Sequence, residues 1–253
     1  MTKLKILLLG ERGYLGSFLN RMLFADTNPK HNDYDYIINC IGKPNLEECQ
    51  KHPDISRESN YNVVEKIIAN YPKSKVIHFS SYYVYDDDGL CKENAKTTYK
   101  YNYTKDKLDS EKLVETNGVV FRVGKIFGNV YNNQNKFTEY IINEPNIVAD
   151  DVMFNPTSTY QILDALNFEF KQRCLNGILN LGNAGISTHY EYAKFIENIL
   201  GVDKNIKRVE KIERSFHNYG KFCMNCNRMS LYIKLRDWRD DMNNYLKRGH
   251  NVT

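Results

Sequence analysis

The sequence lacks any hydrophobic run long enough to cross a membrane. Its first apolar run, Ile6–Leu9, is far shorter than the ~20 residues of a spanning helix or the core of a secretion signal. We therefore expect a cytoplasmic protein with reduced thiols. A dense Lys/Arg block is also missing, and the net charge of +4 is small for 253 residues. These features predict no nucleic-acid or membrane partner, although a mildly positive surface suits an anionic small substrate.

Cysteine is present but is not arranged as a set of metal ligands. Of six cysteines, only Cys223 and Cys226 have CxxC spacing. A structural zinc site needs four ligands, and no second CxxC or histidine pair accompanies this one. We therefore expect no metal site.

The first half of the chain alternates apolar runs with helical stretches. The predicted strands are residues 4–9, 36–41, 75–79 and 118–123, and the predicted helices are residues 14–24, 55–70 and 103–115. This alternation is typical of βαβ units around a parallel sheet covered on both faces. It predicts an α/β fold: a Rossmann-like, doubly wound parallel sheet occupying residues 1–150.

The second half is less regular. We interpret residues 151–253 as a smaller, mostly helical domain that binds substrate. A short strand at 177–182 is expected to rejoin the sheet. Ser187 is the predicted N-cap of a helix that ends at Leu200.

Three glycines follow the first predicted strand and open a helix. Gly10, Gly13 and Gly16 give the spacing G-x-x-G-x-x-G, with Arg12, Tyr14 and Leu15 between them. Glycine lets the backbone approach a pyrophosphate, and the helix N-terminus offers free N–H groups. The loop therefore predicts dinucleotide binding. Arg12 would contact the 2′-phosphate of NADP, because a guanidinium pairs well with phosphate.

The region after this helix is too short for the second strand of a Rossmann fold. That strand normally ends in an acidic residue that binds the cofactor ribose. Asp26, Asp33 and Asp35 are available, but none ends a convincing strand. We therefore expect a shortened second strand. NADPH and NADH both stay open as cofactor, with NADP favoured.

Tyr103 and Lys107 have the spacing Y-x-x-x-K, which places both side chains on one face of a helix. A nearby ammonium is expected to lower the pKa of the phenol, which could then exchange a proton with a carbonyl group. Ser81 follows the third strand, at the end of the sheet where such folds bind ligands. Its hydroxyl could hydrogen-bond the substrate carbonyl.

Several segments resemble the extended short-chain dehydrogenases that act on nucleotide sugars, and in particular the dTDP-4-dehydrorhamnose reductases. The matching segments, in chain order, are Asp35 to Asn60, His78 to Asp86 (HFSSYYVYD), Tyr103 to Val114 (YTKDKLDSEKLV), Phe121-Arg122 with Phe127-Gly128, Gly177 to Asn183, and Leu235 to Leu246. The resemblance covers nearly the whole chain.

The resemblance implies a set of site residues. Ser81 takes the place of the family's Ser or Thr, Tyr103 that of the acid and Lys107 that of its partner. Cys40, Ile41 and Gly42 would line the cofactor, and Tyr82, Tyr83 and Asn155 would contact substrate. Tyr82 stands where rhamnose-type reductases usually have Asp, so the sugar stays open. Family members often form homodimers, so the resemblance makes a homodimer one option, and the oligomeric state stays open.

The leading hypothesis is NAD(P)H-dependent reduction of a nucleotide-linked 4-keto-6-deoxy sugar in activated-sugar and polysaccharide biosynthesis. An epimerase on the same fold is one alternative. A non-catalytic binding or regulatory protein is another, motivated by the shortened adenosine region. A 4,6-dehydratase is disfavoured, since Tyr82 and Tyr83 occupy the places of its acidic pair.

Overall fold

A computed structural model describes residues 4–31, 33–87, 89–128, 136–210 and 222–249. The strands are β1 (Ile6–Leu9), β2 (Tyr36–Asn39), β3 (Lys75–Ser81), β4 (Gly89–Cys91), β5 (Val119–Val123), β6 (Lys125–Phe127), β7 (Ile147–Asp150), β8 (Met153–Phe154), β9 (Pro156–Ser158), β10 (Gly177–Leu181), β11 (Ser187–Thr188), β12 (Ile206–Val209) and β13 (Phe222–Met224). The helices are α1 (Tyr14–Met22), α2 (Leu46–Lys51), α3 (Pro53–Arg57), α4 (Val63–Asn70), α5 (Asn102–Val114), α6 (Lys136–Asn143), α7 (Thr159–Gln172), α8 (His189–Leu200), α9 (Asn227–Ser230) and α10 (Trp238–Gly249).

Five parallel strands form the central sheet in the order β1-β2-β3-β5-β10. On the side of β1 away from β2, Asp26 forms an isolated parallel bridge with Leu7. Its backbone bonds Leu8 N and Ile6 O, both at 2.8 Å. The chain thus passes to one side of β1 at Asp26 and then to the other side at β2. This reversal confirms the doubly wound, Rossmann-like sheet. The segment at Asp26 stands where a Rossmann fold has its second strand, and here that strand is shortened to a single bridge.

Both faces of the sheet are covered, because its strands alternate their apolar side chains between two layers. Leu8 and Ile38 pack in one layer with α1 and α7, whereas Leu7 and Ile37 pack in the other with α4 and α5. All four side chains are fully buried. Two-sided burial explains why these strands read as continuous apolar runs in the sequence.

The predicted helix at 55–70 is divided. α3 runs into a π-helical turn, Glu58–Asn62, before α4 begins. The turn carries Asn60, which is fully buried. A π-turn widens the helix by one residue and often lies at a functional site.

Helices make up most of the regular structure in the described part of the second half, but short strands that the sequence did not predict accompany them. Short two-stranded ladders pair β8 with β11, β7 with β12, β4 with β13 and β6 with β9. Ladders of two to four residues are too short for a periodic pattern to reveal. β7 and β12 pair across the predicted boundary at residue 150, and the division into two domains stays a prediction.

The predicted N-cap of α8 was wrong by one residue. Thr188, not Ser187, accepts a hydrogen bond from Glu191 N at 3.0 Å, and the Glu191 carboxylate accepts one from Thr188 N at 3.0 Å. This reciprocal capping box needs a Glu three residues after the cap, and only Thr188 has one.

No helix in the described ranges is long and apolar enough to cross a membrane.

A buried ion pair ties the centre of the sheet to α5. Arg122 on β5 donates from Nε and Nη2 to the two carboxylate oxygens of Glu111, at 2.9 and 2.6 Å. The Ser80 hydroxyl donates to the same carboxylate at 2.5 Å. The Arg122 and Glu111 side chains are only 3% and 2% exposed. Such a bidentate pair fixes the orientation of α5 against the sheet.

We predict that Arg122→Met lowers the free energy of unfolding by about 3–5 kcal/mol, because it leaves the Glu111 carboxylate buried without its partner. The double variant Arg122→Met/Glu111→Met should recover most of that loss. Urea unfolding measures both, with Lys112→Met on the exposed side of α5 as control. A single variant as stable as this control would contradict the assignment.

Candidate active site

The carboxyl ends of β1, β2 and β3 lie side by side in the sheet, and each is followed by a predicted site segment. Gly10 follows β1, the Cys40–Gly42 loop follows β2, and Ser81 ends β3. Open α/β sheets bind ligands at this edge, next to the point where the strand order reverses.

The glycine loop folds tightly against the loop after β2. Gly10 has φ +82°, and a Cβ added there would lie 2.8 Å from Cys40 C and Ile41 N. A Cβ at Gly16 would overlap the Gly10 carbonyl oxygen. Gly13 caps α1 without a side-chain hydrogen bond. A side-chain-free cradle that ends at a helix N-terminus fits a pyrophosphate.

Four residues lie between these glycines, and the three predicted to bind the cofactor, Arg12, Tyr14 and Leu15, have different surroundings. The Arg12 side chain is 95% exposed, with its Nε 3.4 Å from Glu11 Oε1. The Tyr14 hydroxyl donates to Gly128 O at 3.2 Å, which joins the glycine loop to the segment after β6. Leu15 is buried in the layer between α1 and the sheet, so its side chain supports the loop.

Ser81 and Tyr103 are both almost completely buried, and Tyr103 hydrogen-bonds Ser81. The expected lowering of the Tyr103 pKa is not found. Burial raises the pKa of Tyr103 to about 12, and its hydrogen bond with Ser81 acts in the opposite sense. The expectation failed because desolvation of a phenolate outweighs the stabilising contacts.

Lys107 lies one turn further along α5 and is also buried. Its Nζ donates to Phe79 O at 3.0 Å, and a Cβ added at Gly42 would lie 3.4 Å from the same Nζ. The ammonium therefore lies between β3 and the loop after β2. Burial lowers the pKa of Lys107 to about 8, and the Glu111 carboxylate acts in the opposite sense.

The two tyrosines after Ser81 lie in different surroundings. Their rings stack at 4.4 Å between centroids. Tyr82 is only 3% exposed and packs within a hydrophobic cluster to which both halves of the chain contribute. Tyr83 is partly buried and also packs on the cluster that contains Tyr103. Of the pair, Tyr83 is the one with exposed surface beside Tyr103.

The Asn155 main chain lies beside the end of β5, where its oxygen accepts from Lys125 N at 3.1 Å, and its side chain points to β13. Its Oδ1 accepts from Met224 N at 2.6 Å, and its Nδ2 donates to Met224 O at 3.2 Å. The side chain is buried and joins β13 to the segment between β8 and β9. Both ends of the amide are thus bound to backbone, which is a structural arrangement.

Sequence reasoning missed the side chains that hold the loop after β2. Asn60 accepts from Lys43 N at 3.0 Å and donates to Lys43 O at 3.2 Å. The Cys49 thiol donates to the same oxygen at 3.3 Å. Both residues lie in a segment already noted for its family resemblance, but the position of Asn60 depends on the π-turn.

The thiols of the CxxC segment are buried. Burial raises the pKa of Cys223 and of Cys226 to about 12 in each case, so both thiols are protonated at neutral pH. Among the residues that the structure describes, no group of three or more His, Cys, Asp or Glu could hold a metal ion.

The family is decided by a match between residues 25–251 and the model of the RmlD substrate binding domain. The chain belongs to this RmlD family. The matched region includes Cys40 to Gly42, Ser81, Tyr103 and Lys107, and the glycine loop precedes it. No curated protein sequence matches the chain.

Solved structures of similar fold match this chain over nearly its whole length. A dTDP-4-dehydrorhamnose reductase from Bacillus anthracis, in complex with NADP, is 17% identical with a TM-score of 0.83, over 98% of this chain and 100% of its own. The dTDP-4-dehydrorhamnose reductase of Yersinia enterocolitica is 19% identical with a TM-score of 0.83, over 97% and 99%. RMD from Pseudomonas aeruginosa, complexed with NADPH, is 12% identical with a TM-score of 0.81, over 99% and 100%. At these identities the likeness establishes the fold.

Because the Lys107 ammonium is buried, we predict that this RmlD-family protein becomes more stable when Lys107 is replaced by Met. At pH 7 the folded protein carries the full free-energy cost of a buried charge, up to about 3 kcal/mol for a pKa lowered from 10.5 to about 8. Between pH 8 and 10.5 the unfolded chain still binds a proton that the folded protein has lost, so the cost disappears as pH rises. Lys107→Met should therefore be more stable than wild type at pH 7, by a margin that shrinks towards pH 10.5.

Urea unfolding at pH 7 and at higher pH measures this difference. Lys105→Met, which replaces an exposed lysine of the same helix, is the matched control and should show no such margin. If Lys107→Met were less stable than wild type at pH 7, the ammonium would be a net stabilising group, contrary to this prediction.

Proposed function

We propose that the protein uses NADPH or NADH to reduce the 4-keto group of a nucleotide-linked 4-keto-6-deoxy sugar, in the biosynthesis of activated sugars for polysaccharides. The observation that carries the proposal is the buried Ser81–Tyr103 contact beside Lys107, in a chain of the RmlD family. A phenol protected from water next to an ammonium suits proton transfer to a carbonyl oxygen.

The cofactor would bind along the carboxyl edge of the sheet and supply the hydride. Gly10, Gly13 and Gly16 with the N-terminus of α1 would hold its pyrophosphate, and the backbone at Tyr14 and Leu15 would continue that surface. The loop of Cys40, Ile41 and Gly42 would line the nicotinamide end, where the nearby Lys107 Nζ could bond ribose hydroxyls. The tight turn needs glycine at both Gly10 and Gly16, because a side chain at either would collide with the backbone of Cys40 and Ile41 or of Gly10.

The protein's own groups would handle the proton. With a pKa of about 12, Tyr103 stays protonated at neutral pH and is therefore an acid that can donate to the oxygen as hydride reaches C4. Ser81 would orient that oxygen. Lys107, still largely charged at pH 7, would stabilise the negative charge left on Tyr103 after transfer.

The sugar nucleotide would lie between the end of β3 and residues 151–253, which we assign as mainly substrate-binding. Tyr83 is the better candidate of the tyrosine pair for contact with the sugar, because it retains exposed surface beside Tyr103. We do not assign Asn155 to the substrate, because both ends of its amide bond Met224. The homodimer stays one option, and the cytoplasmic location stays a prediction.

NADP is the favoured cofactor. The similar structures from B. anthracis and P. aeruginosa are complexes with NADP and NADPH. In this chain Asp26 stands where the second strand is reduced to one bridge, and its carboxylate accepts from Lys30 Nζ at 2.8 Å and from Tyr34 at 3.3 Å. An acid engaged in this way is less available to select the 2′-hydroxyl of NAD. The exposed Arg12 guanidinium could reach a 2′-phosphate.

A panel of nucleotide-linked 4-keto-6-deoxy sugars, mixed with NADPH and followed by loss of nicotinamide absorbance, tests the reaction. We expect Tyr103→Phe to lower kcat at least ~100-fold, because it removes the general acid while keeping the ring. Calorimetry should show nearly unchanged NADPH affinity. Tyr99→Phe, at an exposed tyrosine near the start of α5, is the control and should keep full activity. Equal turnover in Tyr103→Phe would contradict the proposed role.

Cofactor preference is tested by Arg12→Ala. Loss of a charge-assisted hydrogen bond of ~1.5–3 kcal/mol should raise KM for NADPH by about 10-fold or more and leave KM for NADH nearly unchanged. Arg21→Ala, at the exposed end of α1, is the matched control. A variant with an unaltered ratio of the two KM values would remove Arg12 from the 2′-phosphate site.

The two alternatives give different outcomes in the same assays. An epimerase would convert the sugar without net consumption of NADPH. A non-catalytic protein of this fold would leave every sugar unchanged, and failure to bind NADPH in calorimetry would favour it. The buried Ser81, Tyr103 and Lys107 group supports the reductase, since a binding protein has no need to bury an ammonium at this edge.

A further inference from the structure

A line of buried polar side chains connects the loop after β2 to the middle of α5. Asn39 ends β2, His78 lies in β3 and Ser110 lies on α5, and all three are between 0% and 1% exposed. Asn39 Nδ2 lies 3.2 Å from His78 Nδ1, and His78 Nε2 lies 3.0 Å from Ser110 Oγ. None of the three was among the predicted site residues.

The two ends of this line are backbone groups of the candidate site. Ile41 N, in the proposed cofactor loop, donates to Asn39 Oδ1 at 3.0 Å. At the other end, the Ser110 hydroxyl donates to the carbonyl oxygen of Lys107 at 2.8 Å. The line therefore joins the cofactor loop to the residue that carries the buried ammonium.

Only one assignment of donors and acceptors allows every hydrogen bond in this line to form. Because Asn39 Oδ1 accepts from Ile41, the amide nitrogen faces His78 and must donate to Nδ1. Nε2 then carries the ring proton and donates to Ser110 Oγ, whose own hydrogen goes to Lys107 O. A proton on Nδ1 would face the Asn39 NH₂ group, donor against donor. Only the neutral Nε2–H form of His78 satisfies every contact.

The surroundings keep His78 in that neutral form. Burial, and to a smaller extent the positive charge of Lys107, hold the pKa of His78 well below its usual 6.5. The ring is fully buried, so water does not compete for its two bonds. The line is thus complete at physiological pH.

We propose that Asn39, His78 and Ser110 are positioning residues that fix Lys107 against the cofactor loop, so that ordering of the loop by bound cofactor also orders the ammonium. This inference rests on the proposed function, because it assigns cofactor to the Cys40–Gly42 loop. None of the three touches a reacting atom. They act through the main chain of Lys107, whose Nζ already has a fixed acceptor in Phe79 O.

Ser110→Ala tests the proposal, since it removes one hydroxyl and leaves a good helix-forming residue. We expect a kcat about 10-fold or more lower and NADPH affinity correspondingly weaker, because small displacements of a catalytic group cost up to ~100-fold in rate. KM for the sugar should stay unchanged. The matched control is Ser56→Ala, which removes another fully buried hydroxyl bound to α5, at Asp106 Oδ2 2.6 Å away.

If both variants lose equal stability but only Ser110→Ala loses kcat and NADPH affinity, the positioning role stands. If Ser110→Ala and Ser56→Ala have the same kcat and the same NADPH affinity, the line serves only to satisfy buried polar groups and the proposal is overturned. Calorimetric NADPH binding needs no turnover. A protein that binds NADPH but reduces no sugar would therefore contradict the proposed function alone.

NMR of protein labelled with ¹⁵N in histidine decides the direction of the line without any ligand. The expected result is a neutral His78 ring with its proton on Nε2 from pH 5.5 to 8. A proton on Nδ1, or a charged ring within this range, would break the line at Asn39 and overturn the proposal whatever the activity.

Discussion

The buried ammonium of Lys107 is the constraint on which the rest of the site depends. A charge out of water is unfavourable unless fixed dipoles and charges surround it. Here Phe79 O accepts its hydrogen bond and the Glu111 carboxylate lies on the same helix. Arg122 then balances that carboxylate and anchors α5 to the sheet. The same ammonium helps to keep His78 neutral. The Arg122–Glu111 ion pair and the neutral His78 thus both surround the single positive charge of Lys107 at the carboxyl edge of the sheet.

The bridge at Asp26, which replaces the second strand of a Rossmann fold, changes one end of the proposed cofactor site and leaves the other intact. The glycine loop is supported from below by β1 and from the side by Cys40 and Ile41, so its shape does not require the missing strand. The adenosine end loses the strand that would present an acid, and Asp26 is engaged by Lys30 and Tyr34. In the proposed reductase, recognition of the cofactor would therefore shift towards the pyrophosphate and towards the exposed Arg12.

Much of the sheet could be predicted from the sequence, because each strand is buried on both faces and reads as an apolar run. The glycine loop and the Ser81, Tyr103 and Lys107 group were predictable for a related reason, since their spacing is fixed by strand ends and one helix face. Other features depend on distant contacts. The raised pKa of Tyr103 follows from burial, which spacing does not reveal. The Asn155 amide bonds Met224, 69 positions away, a contact that no local pattern predicts. His78 and Ser110 meet only once α5 packs on β3.

Hydride transfer from the cofactor to C4 of the sugar is the central claim, and isotope transfer tests it most directly. NADPH would carry deuterium at C4 of its nicotinamide ring, in the position that is transferred. It would be incubated with the protein and a nucleotide-linked 4-keto-6-deoxy sugar, and the sugar product would be examined by NMR. The proposed reductase predicts one deuterium at C4 of the sugar for each NADP⁺ formed, with a single configuration at that carbon. A sugar product without deuterium, or deuterium that stays in the cofactor while the sugar is converted, would contradict it.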